Sequence, residues 1–492
     1  MKNKIALISD TVALGLMEAK PEPAWRVRLS ALRNKELIAP DYGAMYVVSY
    51  LKSKGFDVKV INPVADVHGE AELFKDSVND PASYSDAPIS KPEALEKSRK
   101  HLFDSLRSLD PDIILYPLSV YNLARYARKL LLEIRNSFPE KTIITGGIYA
   151  SFHPAEILED GGADVVVRGE GEITTEEVLR AIDEGRKINE IAGISYINEG
   201  EITHNPGRTP IIDLDDLPHL YEASNDFNIR KRYEILSELN PNDDYIPGCG
   251  FLTSRGCPEL CTFCLDPAIN NGRTRFHSPE YVKRVLQFCL ENFSDRTNTF
   301  FFGDATFTMN KKRLNRILDI ISGFPFKYQI QTRADYLDES IIARLAESRF
   351  TTVAIGAESL NERILNEVVK KRMTPETIID ASISVKKAGM QPVLTFIVGL
   401  PGEPKESVLR TARILIENKL TLATFFPLVV FKGTALYQEF LKKFSPEERE
   451  SLRLNPASEE FLFLSEYFSS REEITDFTAE INRTLLEARA CL

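Results

Sequence analysis

Twice along this chain, short apolar runs alternate with amphipathic helical segments, and the rhythm breaks once between the two series. A strand followed by a helix can rejoin the same sheet only in parallel, so such a rhythm dictates parallel sheets flanked by helices. The first series comprises KIALIS (4–9), DVKVIN (57–62), DIILYPL (112–118), TIITGG (142–147) and ADVVVRG (163–169). Helical periodicity fills 42–55, 92–111, 124–138 and the stretch from Thr174, while the polar residues 66–95 read as a surface excursion. Five such units predict a doubly wound parallel sheet over 1–185.

Residues 186–247 lose the rhythm. ISYINEGEITHN reads as a small hairpin, and PIIDLDDLPHLYEASN as a Pro- and Asp-rich linker. A second series then begins with FLTS and continues through TNTFFFG (297–303), KYQIQT (327–332), TTVAIG (351–356), QPVLTFIVG (391–399) and TLATFFPLVV (421–430). Helices are expected at 279–293, 310–322, 338–347, 361–370, 375–389 and 404–418. Six βα units predict a partial (β/α)6 barrel of TIM type over 248–435, and the charged residues 436–492 a helical C-terminal region. A chain of 492 residues exceeds one ordinary core, in keeping with that division.

Three of the six cysteines fall within TSRGCPELCTFC, as Cys257, Cys261 and Cys264. They follow the first barrel strand, on the face where barrel active sites are built. Thiolates this close repel one another unless a cation sits among them. A structural zinc wants four ligands in separated pairs, and Cys249 and His277 supply no such pairing. Three cysteines suit a 4Fe–4S cluster with one iron left open, and a three-thiolate zinc site remains the rival. Cys289 lies on an apolar helix face and is expected in the core; Cys491 is expected in an exposed tail.

The net charge of −11 argues against a broad nucleic-acid-binding face. No apolar run is long enough to span a membrane, MKNKIALISD does not read as a signal peptide, and the crowded thiols are expected in a reducing cytoplasm.

The C-x3-C-x2-C spacing, with an aromatic before the last cysteine and after strand one of a six-unit barrel, resembles the radical S-adenosylmethionine enzymes. The resemblance covers roughly 250–430. It implies that Cys257, Cys261 and Cys264 hold the cluster and that S-adenosylmethionine chelates the open iron. Phe263 is then expected either to shield the cluster or merely to pack. GAES places Glu358 and Ser359 at the methionyl part of the cofactor, FIVGLPGE places Gly399 near adenine, TRAD offers Arg333 to a carboxylate, and GDATFT offers Asp304 as a polar contact. Taken singly, Glu358 and Asp304 also read as helix caps, Arg333 as an ion-pair partner and the Gly-Leu-Pro-Gly run as a turn.

GGIYASFHPAEILEDGGADVVVRGEGEIT (146–174) resembles the cobalamin-binding branch of that family, and makes the first sheet a Rossmann-type cobalamin-binding domain. The corrin is expected over the C-terminal strand edge, with Ser119, Gly146, Gly147, Gly169 and Glu170 near its nucleotide tail. Three departures stand out. The loop after the first strand has Asp10 without the axial histidine of classical carriers, and His68 reads as an exposed loop residue. Tyr149 replaces a histidine, with His153 following. Lys432 in FKGTAL stands where proline is expected. A ligand-free sheet that only shapes the substrate cavity is the alternative. The methylthiotransferase branch is disfavoured because no cysteine precedes Cys249.

The resemblance implies a cobalamin-dependent radical enzyme that methylates an unactivated carbon of a small-molecule or lipid-like substrate. A 5′-deoxyadenosyl radical and methylcobalamin would serve the reaction, and a reductant such as flavodoxin or ferredoxin would supply electrons. Cyclisation, rearrangement or dehydrogenation without methyl transfer is the second reading, and a non-catalytic iron–sulfur or corrin-binding sensor the third.

Overall fold

A computed structural model describes residues 3–9, 41–67, 92–119, 124–239, 249–295, 298–447 and 466–490. Asp10, His68 and Cys491 lie outside them. The first sheet contains β1 (Ile5–Ile8), β2 (Val58–Ile61), β3 (Ile113–Pro117), β4 (Thr142–Gly146), β5 (Val165–Val167), β6 (Ile194–Asn198) and β7 (Glu201–His204). Its order is β2-β1-β3-β4-β5-β6-β7. The first five strands are parallel; β1, β3 and β5, inside the sheet, are apolar as strands buried on both faces must be, whereas β2 at the edge leaves Lys59 exposed. The order 2-1-3-4-5 is that of a doubly wound sheet whose direction switches between β1 and β3, which opens a crevice beyond their C-terminal ends.

The hairpin read in the connecting segment belongs to this sheet, because β6 pairs antiparallel with β5 and β7 with β6. Ile194 is fully buried at that junction, and its burial draws the hairpin onto the edge.

The second sheet comprises β8 (Cys249–Phe251), β11 (Thr299–Phe302), β12 (Lys327–Thr332), β13 (Phe350–Glu358), β14 (Gln391–Val398) and β15 (Ala423–Pro427), all parallel and in consecutive order. The two-residue strands β9 (Ser254–Arg255) and β10 (Arg275–Phe276) pair antiparallel and form a clip at the base of the cysteine loop. Between β13 and β14, the expected helix 361–370 is replaced by one π turn, Ile364–Val368, followed by the helix Pro375–Lys387. The helix Arg471–Ala490 packs against β15 and the helix Lys405–Glu417. Among the described residues, no helix is long and apolar enough to cross a membrane.

Candidate functional site

The cysteine loop leaves β8, passes through the clip and rises on the C-terminal rim of the second sheet. Cys257, Cys261 and Cys264 are all free thiols. Asp266 accepts the Cys257 amide at 2.7 Å, and Thr306 Oγ1 lies 3.6 Å from Cys257 Sγ. Thr262 fixes the middle of the loop. Its amide donates to the Val369 carbonyl (3.1 Å), its hydroxyl to that of Val368 (2.6 Å), and its own carbonyl accepts from Leu436. Phe263 packs into the apolar cluster of Ile364, Leu400, Val430 and Leu436.

Burial raises all three thiol pKa values, that of Cys264 to about 12, while Lys371 and Arg333 pull Cys261 the other way. Desolvated thiols crowded together on one loop are held as thiolates only by a cation. Three thiols on one short loop suit a cluster that gives each of three irons its own thiolate and leaves the fourth open.

The neighbouring strand ends supply charge. Glu358 closes β13 at a positive φ of 64°, where the register with β14 slips between Gly356 and Glu358. A bulge with a left-handed residue re-aims its side chain. The carboxylate folds back over Gly356, where a Cβ would lie 2.6 Å from Oε1, and pairs with buried Lys371 at 2.8 Å. Arg333 grips Asp335 with both arms (3.0 and 2.8 Å), donates to the Lys371 carbonyl (2.6 Å), and stands 3.9 Å from Cys261 Sγ. The carboxylate it holds is thus its neighbour's. Ser359 donates to buried Glu403, which burial pushes up to about 7.

Two further residues named for the cofactor have structural contacts of their own. Asp304 is fully buried and accepts from the Thr253 amide (3.1 Å), the Thr253 hydroxyl (2.8 Å) and Ser254, so it braces the base of the cysteine loop. Gly399 has φ +91°, a conformation that itself favours glycine, and it sits against the tip of the Ile474 side chain of the C-terminal helix.

A cavity of about 540 Å³ opens beyond the C-terminal ends of β1, β3, β4 and β5, a size typical of cofactor sites. Ser119, Gly146, Gly147, Gly169 and Glu170 line it, together with Arg255 from the clip. Ser119 donates to Asp41 at 3.1 Å, and the Gly169 amide to Ser151 at 2.9 Å. Gly147, at φ +112°, could carry no side chain, since a Cβ would lie 2.7 Å from the Leu118 carbonyl oxygen. At Gly147 the cavity floor is backbone, as a flat ligand lying against the strand ends would require. Glu170 also leaves the cavity for the barrel, pairing with Arg255 and Arg275 at 2.9 Å each. Burial raises its carboxyl, but the guanidinia outweigh it and the net shift is downward.

Tyr149 and His153 stack on each other with ring centres 4.1 Å apart. Burial keeps His153 neutral-leaning by lowering its pKa, and the ring sits 3.7 Å from Glu156, which pairs with Lys432. Cys249 lies in β8, and Cys289 is buried in the helix Pro279–Phe293. His277 is buried, stacked on Tyr281 and paired with Asp215 at 3.1 Å. Lys371, Thr262, Arg255, Arg275 and Glu172 escaped the motif reading. Arg255 and Glu172 stand inside quoted motifs, yet only the fold shows that they meet.

A family model described as the Radical SAM superfamily matches residues 251–415, and one described as the B12 binding domain matches 31–179. An uncharacterized methyltransferase of Pyrococcus horikoshii is 30% identical over 337 residues, 68% of this chain and 70% of that protein. Cytidylyl-2-hydroxyethylphosphonate methyltransferase of Streptomyces wedmorensis is 23% identical over 478 residues, covering 90% of this chain and 85% of that one. Among solved structures, the radical S-adenosylmethionine methyltransferase TsrM of Kitasatospora setae superimposes with a TM-score of 0.64 at 16% identity, covering 90% of this chain and 76% of its own.

Proposed function

The chain belongs to the cobalamin-binding branch of the radical S-adenosylmethionine enzymes, and from that premise we propose that it methylates an unactivated carbon of a small-molecule or lipid-like substrate. The observation that carries this reading is the shared wall. Arg255 lines the cavity at the sheet edge and stands two residues before Cys257, so the thiol loop and the cavity adjoin.

The thiols of Cys257, Cys261 and Cys264 would hold the cluster, Glu358 and Ser359 would face the methionyl end of S-adenosylmethionine, and Ser119, Gly146, Gly147, Gly169 and Glu170 would bound cobalamin. When bound, these cofactors supply a carbon-centred adenosyl radical and a transferable methyl group. The chain's own residues orient and desolvate. Lys371 and Arg333 place positive charge beside Cys261, which favours its thiolate. Thr262 and Asp266 hold the loop so that the thiols keep their spacing. Phe263 and its apolar neighbours keep water from the loop, as radical chemistry requires. The reductant we assign is a small electron-transfer protein such as a flavodoxin or ferredoxin, acting in the reducing cytoplasm where free thiols persist.

Anaerobic reconstitution with iron and sulfide, followed by optical spectra with and without cobalamin, tests the cofactors. Mass analysis of the product then distinguishes a gain of CH2 from rearrangement. Cys261→Ala is expected to lose cluster loading and to form no 5′-deoxyadenosine. Wild-type protein that takes up zinc in place of iron and labile sulfide would sink the reading.

A further inference from the structure

Arg255 and Arg275 are direct partners across the antiparallel clip, one on each strand. Like charges opposite each other on one face of a strand pair repel. Here two carboxylates from the other domain separate them. Glu170 accepts from both, at 2.9 Å from each, and Glu172 accepts from Arg255 at 2.6 Å. All four side chains are 16% exposed or less. The Arg255 guanidinium also lies over the Tyr46 ring, 5.0 Å from its centre.

Each half of this quartet is tied to one proposed cofactor site. Glu170 stands at the N-terminal end of the helix Gly171–Asp183, three residues after β5, and its second oxygen takes the Ile211 amide at 2.7 Å. On the other side, one residue separates Arg255 from Cys257. That residue is Gly256, so tightly packed on the Arg273 carbonyl that no Cβ fits. A displacement of the clip therefore passes directly to the cysteine loop.

We propose that Glu170, Glu172, Arg255 and Arg275 form a positioning clamp that fixes the separation and orientation of the cysteine loop relative to the cavity at the sheet edge. This rests on the methyl-transfer reading, in which one S-adenosylmethionine must give its methyl group to a cofactor in that cavity, leaving S-adenosylhomocysteine. Reductive cleavage at the loop needs no such reach: one electron from the reductant splits the sulfonium C–S bond, and the adenosyl fragment leaves as 5′-deoxyadenosine after taking a hydrogen atom. Loosening the clamp therefore changes the balance of the two products. A forked guanidinium serving two acceptors is not replaced by an ammonium, so a charge-conserving change suffices at Arg275, while Glu172→Gln keeps the shape of the side chain and removes its charge.

The test uses reconstituted holoenzyme with a strong reductant, comparing wild type with Arg275→Lys and Glu172→Gln. The ratio of 5′-deoxyadenosine to S-adenosylhomocysteine is expected to rise at least tenfold in both variants. Hydrogen exchange is expected to quicken together at 170–175 and 254–258, on opposite sides of the interface. An unchanged ratio, or faster exchange on one side alone, would overturn the clamp. Wild type that forms 5′-deoxyadenosine but no S-adenosylhomocysteine would instead overturn the methyl-transfer reading, and the exchange data would then decide the clamp by themselves.

Discussion

Glu403 shows how a single residue beside the proposed S-adenosylmethionine site is held away from its solution behaviour. It is 2% exposed, accepts from Ser359 and Ser407, and is pushed up to about 7 by burial, against an ordinary value of 4.5. The folded chain therefore holds this proton more tightly than the unfolded chain does. Its contribution to stability is full below about pH 4.5 and is lost as pH rises to about 7, at most roughly 3 kcal/mol for a shift of this size. Glu403→Gln, which cannot ionise, is expected to remove this slope. Thermal unfolding of the two proteins between pH 4.5 and 8 should give curves that meet at the acid end and separate toward neutrality, with the variant higher. Parallel curves would show that the carboxyl is ionised throughout. The sequence showed Glu403 only as the end of FIVGLPGE; a raised carboxyl depends on what surrounds it in space, and no spacing rule reports that.

At the scale of elements, the two series of βα units were legible because most of their strands are buried on both faces and read as short apolar runs between helical segments, although KYQIQT and DVKVIN break that pattern. The segment after β13 was not. Residues 361–370 carry helical periodicity, yet the structure forms one π turn there. The carbonyls of Val368, Val369 and Lys371 turn outward to bond Thr262 and Arg333, so they cannot continue an α-helical ladder. The tertiary partner overrode the local pattern. The C-terminal helix teaches a similar lesson. Asn482 brackets Phe425 on the edge strand β15, accepting from its amide and donating to its carbonyl, both at 2.9 Å. One side chain thereby satisfies backbone groups that an open edge would expose. Asn482→Ala is expected to destabilise by about 2 kcal/mol through two lost hydrogen bonds. Asn482→Asp, which keeps only the acceptor, should fall between. Urea denaturation measures both; equal stability of wild type and the alanine variant would show that water replaces the bracket at no cost.

At the scale of the whole molecule, two domains recognised separately in the sequence are joined by contacts that neither motif announces. The clamp at Glu170 is one. The other lies in the departures from the family pattern. Lys432, where proline is expected, pairs with Glu156 of the HPAE segment, and Gly433 beside it packs against the Phe152 ring. The lysine is thus an interdomain partner, and the substitution is explained by the residue it meets. Burial would raise the Glu156 carboxyl, but His153 and Lys432 outweigh burial and lower it to about 2. The sign is therefore opposite to that of Glu403. This pair contributes stability above about pH 4.5 and loses it as pH falls toward 2. Lys432→Gln leaves a buried carboxylate without its cation, and with the lysine partly exposed the cost should be about 2–3 kcal/mol at pH 7, below the 3–5 of a fully buried pair. The difference from wild type should shrink as pH falls from 4.5, because protonated Glu156 no longer needs the ammonium. Calorimetric unfolding of both proteins from pH 3 to 8 measures it. A deficit that stays constant across that range would mean that Lys432 acts through packing alone, and would remove charge from the account of how the sheet is held to the barrel at this end of the interface.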